Sequence, residues 1–132
     1  MLASAADSVR LSLHVIAASI WVGGQLVLAA LVPTLRTAGA EVPRLAARAY
    51  NRVAWPAFGV LIATGIWNIQ AENGWDGDRR TVLLVKLVLV GVSGIAAWAH
   101  TRATTKRGLA IGGALSGLSS LAVLVLGIVI AG

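Results

Sequence analysis

The chain has 132 residues, of which 58% are hydrophobic and 12% charged, with a mean hydropathy of +0.83. Soluble domains carry roughly 25% charged residues, so a water-soluble globular domain is excluded. The net charge of +6 does not point to nucleic acid, because the basic residues fall in short connectors between apolar runs and not on one polar face.

The first apolar run lies between Arg10 and Arg36, 25 residues without a charge. It is too long for a signal-peptide core and is followed by no small-residue cleavage motif, so a retained anchor is expected. A second run lies between Arg52 and Glu72, a third is broken only by Lys86, and a fourth follows Arg107. Runs of about 18 or more apolar residues predict membrane-spanning helices. The expected fold is therefore all-α, a four-helix integral membrane bundle forming a single domain over 1–132, with spans of about 11–35, 53–71, 81–101 and 108–131. No soluble domain, low-complexity tract or usable internal repeat interrupts it.

Orientation follows from the basic residues. Connector 36–52 holds Arg36, Arg44, Arg48 and Arg52, and connector 102–107 holds Arg102, Lys106 and Arg107. The opposite side has Arg10, Arg79 and Arg80, diluted by Asp7, Glu72, Asp76 and Asp78. Seven against three puts both termini outside. A helical extension before the second span would align Arg44, Arg48 and Arg52 on one face, against lipid phosphates or simply in water. Trp55, Trp67, Trp75 and Trp98 fall near span ends, at headgroup level, whereas Trp21 lies inside the first span. Gly108, Gly112, Gly113 and Gly117 give the fourth span small-residue pairs for close helix packing. The chain has no cysteine, which removes disulfides and thiolate ligands.

Polar residues inside spans are costly and so point to function. On the rise per residue, His14, Lys86 and Asn68 all fall within roughly 5–8 Å of the outer ends of their spans. His100 lies roughly 28 Å down its span. That depth rules out one haem clamped between His14 and His100 of the same chain. His14, Trp21 and Gln25 share a stripe on the first span, and Lys86, Ser93 and His100 recur every seven residues on the third. Facing stripes would form a polar seam, whereas the plainer alternative is bonding between helices. Lys86 either snorkels to the headgroups or acts as a cation that neutralises an anionic ligand and keeps His14 neutral.

The segment Leu13–His14–Val15–Ile16–Ala17–Ala18–Ser19–Ile20–Trp21–Val22–Gly23–Gly24 resembles the opening helix of the copper resistance protein D (CopD) domain family. Leu31–Val32–Pro33–Thr34–Leu35–Arg36 is similar to that family's exit from its first helix. Tyr50–Asn51–Arg52–Val53 leading to Ala63–Thr64–Gly65–Ile66 resembles its second helix, and Leu84–Val85–Lys86–Leu87–Val88–Leu89–Val90 a later one. The resemblance covers nearly the whole chain and is weakest over the fourth span. It implies a minimal bacterial inner-membrane member of a copper-homeostasis family, often working beside a periplasmic copper-binding partner. A more distant likeness is to the haem b-binding membrane protoporphyrinogen oxidases, although these carry a histidine nearer their lysine than His100 is to Lys86. His14 and Lys86 are the positions that carry over to either group.

Three functions follow as expectations. In copper homeostasis, His14 is the metal ligand. With no Cys, only Met1 and two distant histidines, one chain needs a partner or a homo-oligomer to complete a soft site. In a haem b protein, His14 is the axial ligand, Lys86 meets a propionate or the other axial position, and Trp21 lines the slot. In a non-catalytic assembly subunit, these residues only pack. No carboxylate lies inside a span, so acid–base catalysis by Asp or Glu is not expected.

Overall fold

The computed structural model describes residues 4–71 and 77–131. Among them there is no strand, and four helices are long and apolar enough to cross a membrane. These are α1 (Ala5–Ala38), α2 (Val42–Ala71), α3 (Gly77–Arg102) and α4 (Lys106–Ala131). The chain falls into two compact units, Met1–Glu72 and Asn73–Gly132, each a helical hairpin. Glu72, Trp75 and Asp76, used above for orientation and the headgroup layer, lie outside the described residues.

The helices outrun the apolar runs that announce them. α1 starts early because Ser4 caps it. The Ser4 hydroxyl oxygen accepts the Asp7 N–H at 3.1 Å, and the hydroxyl donates to the Asp7 carboxylate at 2.6 Å. It stops at Gly39, whose φ of +152° is hard for any residue with a Cβ. A tight turn follows, with the Val42 N–H bonded to the Gly39 carbonyl at 3.2 Å. α2 therefore begins well before Val53, and Arg44, Arg48 and Arg52 stand on a helix, all exposed. Pro43 sits in its first turn, where a missing N–H costs nothing.

Within α1, Ser19–Gly23 form a π-turn. Its wider spacing takes carbonyls off the regular ladder, and α2 supplies the replacement donor. The Tyr50 hydroxyl lies 3.0 Å from the Ile20 carbonyl and 2.9 Å from that of Trp21, and the Gln25 side-chain amide donates to the Trp21 carbonyl at 2.8 Å. The Tyr50 ring occupies the space a side chain at Gly24 would need: a Cβ there would stand 2.3 Å from Tyr50 Cε2. Below this lock Trp21 packs tilted on Phe58, with centroids 4.3 Å apart, and edge-on to Trp55 at 5.5 Å. Trp55 thus contributes to the hairpin's aromatic core and is not confined to a headgroup role. Ala17, Ala54 and Ala57 bury the rest of the contact, small enough to bring the helices close.

The second hairpin is a ladder of small and polar residues. Ser93 and Ser120 hydroxyls meet at 2.6 Å, and the Ser116 hydroxyl donates to the Ser93 carbonyl at 3.3 Å, all three residues being buried. Seven residues away in one direction His100 lies against Gly112 and Gly113, and in the other Lys86 Nζ lies 3.5 Å from where a Cβ of Gly127 would be. Lys86, Ser93 and His100 therefore face Gly127, Ser120 and Gly113, heptad against heptad. Of the four glycines expected to pack, Gly112 and Gly113 lie against His100, Gly108 faces only Ala103 and Thr105 just before it, and a Cβ at Gly117 would meet nothing within 4 Å. Much of what remains exposed is large and apolar, such as Ile95 at 70% and Leu118 at 67%. In water such a surface would drive association, whereas in a bilayer it faces solvent of its own kind.

Candidate functional site

His14 is the best-defined polar group of the first hairpin. Its Nδ1 lies 2.8 Å from the Thr64 hydroxyl, and that hydroxyl lies 2.7 Å from the Val60 carbonyl one turn back on α2. With the Thr64 proton on the Val60 carbonyl, the Thr64 oxygen accepts from His14 Nδ1–H, and a neutral ring in that tautomer would carry its lone pair on Nε2; with the Thr64 proton on Nδ1 the roles are reversed. Thr64 is itself buried at 4% exposure, so the relay is held rigidly. The ring edge passes over Gly65, where a Cβ would stand 3.7 Å from His14 Cε1.

One turn further out, the antiparallel register of His14 with Thr64 puts Arg10 at the level of Asn68. Arg10 is 5% exposed and pairs with Asp7 at 3.2 Å. Arg10 Nε and Asn68 Oδ1 are both buried without a hydrogen-bond partner. Arg10 belongs to the buried face of α1, not to the water outside it as its charge first suggests.

The other sequence candidates are described within their own hairpins. Trp21, proposed to line a cofactor slot, is 3% exposed and held by Trp55 and Phe58. Gln25 serves the π-turn. Lys86 belongs to the second hairpin, beside Gly127. His100 donates from Nδ1 to the Leu109 carbonyl at 2.7 Å, which ties the end of α3 to the first turns of α4. Trp98 stays exposed at 52%, with the Arg102 guanidinium 5.0 Å above its ring.

Two residues of the site were missed in the sequence, Thr64 and Tyr50. Each matters through a bond to the facing helix, and only the hairpin register exposes it. Among the described residues no three His, Asp or Glu side chains gather into a metal cage. No protein-family model, curated protein or solved structure matches the chain.

Proposed function

We propose that this chain is a CopD-like protein of copper homeostasis that uses His14 Nε2 as an imidazole ligand for copper as cargo. The observation that carries this is the Thr64 bond to Nδ1. Metal-binding histidines are commonly fixed by such a partner on their other nitrogen, which sets both tautomer and ring direction. A neutral imidazole suits copper, and one ligand per chain suits transient handling more than a closed site. The remaining ligands then come from a periplasmic copper-binding partner or from His14 of a second copy. On this reading the membrane is the bacterial inner membrane that the family resemblance implies, and the Lys/Arg bias supports an orientation with this end of α1 and both termini outside.

Haem b binding is the second candidate, favoured by the solitary imidazole. One His14 suffices as an axial ligand, whereas a copper cage needs more. Haem would supply redox chemistry, and the chain's part would be to hold the imidazole through Thr64.

Absorption spectra and metal analysis of detergent-purified protein, wild type beside His14→Ala, separate these. Copper retained by wild type and lost in the variant supports the copper proposal. A Soret band lost in the variant replaces it with haem. Neither signal, with both cofactors supplied, leaves an assembly subunit in which His14 packs.

A further inference from the structure

We infer that the first eleven residues of α2 form a binding site for the phosphates of anionic phospholipids, built from Arg44, Arg48 and Arg52. The helix has 30 residues, which makes it about 45 Å long against a hydrocarbon core of about 30 Å. Its apolar run begins at Val53, so the excess falls at the N-terminal end. The three arginines recur every four residues there, which spaces them about 6 Å apart along the axis.

Three features make this more than a scatter of positive charge. The residues of α2 that meet α1, namely Tyr50, Ala54, Ala57 and Leu61, lie on the opposite side of the helix from the arginine stripe. All three arginines are exposed, and no carboxylate among the described residues pairs with any of them. Val53, 55% exposed, follows the stripe and suits the boundary between headgroups and acyl chains. From Arg44 to Arg52 the stripe spans about 12 Å along the axis, short enough for flexible arginine side chains to reach one phosphate layer. Arginine suits phosphate because its planar fork bonds two oxygens at once.

A solvated face or an acidic protein partner would use the same charges differently, and lipid composition tells them apart. Full-length protein is reconstituted in nanodiscs of phosphatidylcholine containing a minor share of phosphatidylglycerol, and protein-bound lipids are counted by native mass spectrometry. Wild type is expected to hold phosphatidylglycerol above its bulk share. Each basic residue near an anionic surface contributes roughly a fivefold preference, so Arg48→Gln should lower the enrichment severalfold and the triple Gln variant should abolish it. The triple Lys variant keeps the charge and should retain most of it. Bound lipid in wild type that matches the bulk composition overturns the inference without any variant. Undiminished enrichment in a triple Gln variant of native helicity overturns it as well. Copper and haem play no part in this readout, so it stands or falls apart from the proposed function.

Discussion

At Gly24 one absent methyl group decides whether two helices can lock. Gly24→Ala must expel the Tyr50 ring, and overpacking of this kind costs about 1–3 kcal/mol. Tyr50→Phe keeps the ring and removes only the hydroxyl from the π-turn carbonyls, at about 0.5–1.5 kcal/mol. Unfolding of both single variants and the double variant in detergent should show strong non-additivity, because both act on one contact. If the two losses simply add, the lock does not exist as described. Thr64→Val is the corresponding change at His14. It leaves shape nearly intact but frees Nδ1, and loss of such a partner lowers metal affinity by about 10–100-fold. Equilibrium dialysis with the wild-type ligand metal measures it, and unchanged affinity would demote Thr64 to packing. His14 could be picked out in sequence because an ionisable residue in an apolar run is conspicuous. Thr64 and Tyr50 stood in the motifs of the second helix, but no role could be given to either until the facing residue was known.

Among the elements, the α3–α4 pair gives the sharpest contrast between polar glue and steric fit. Ser120→Ala removes the bond to Ser93, and interhelical bonds of this type average about 0.6 kcal/mol. Gly112→Val should cost several times more. A Cβ at 112 would already stand 3.1 Å from His100 Cα and 3.2 Å from its nitrogen, and backbone cannot move aside as a side chain can. Comparable unfolding of the two variants would mean the helices part more readily than their contacts imply. Half of this ladder was legible: the seven-residue spacing of Lys86, Ser93 and His100 marked one face of α3. Gly113 was picked out for packing, but Ser120 and Gly127 were not, because small residues in an apolar helix give little hydropathy contrast. The helices run past the apolar spans for a different reason. Charged ends such as 42–52 extend a helix without extending its hydrophobicity.

For the whole molecule, hydropathy sufficed to find four helices, since a 30 Å apolar layer demands long runs and admits few alternatives. The division into two hairpins was not read from the sequence, because hydropathy locates the helices without saying which of them pair. A clean test exploits the absence of cysteine. Ser93→Cys with Ser120→Cys should form a disulfide under mild oxidation, since the native hydroxyls are 2.6 Å apart. The link should form equally well after a protease site placed in 72–76 has been cut. Cross-linking that requires the uncut chain would show that the second hairpin is not a self-sufficient unit.

The π-turn of α1 has a consequence for phase. A π-turn is in effect one extra residue accommodated in an α-helix, and one residue corresponds to about 100° of rotation. Because the wider turn absorbs the added residue, the half of α1 that carries His14 and the half that ends at Ala38 keep the phase of an unbroken helix. Deleting one residue of Ser19–Gly23 would let the backbone close its own hydrogen bonds and dispense with Tyr50, while His14 would still face Thr64. The added residue thus costs α1 some of its own bonding and gives α2 a place to fasten.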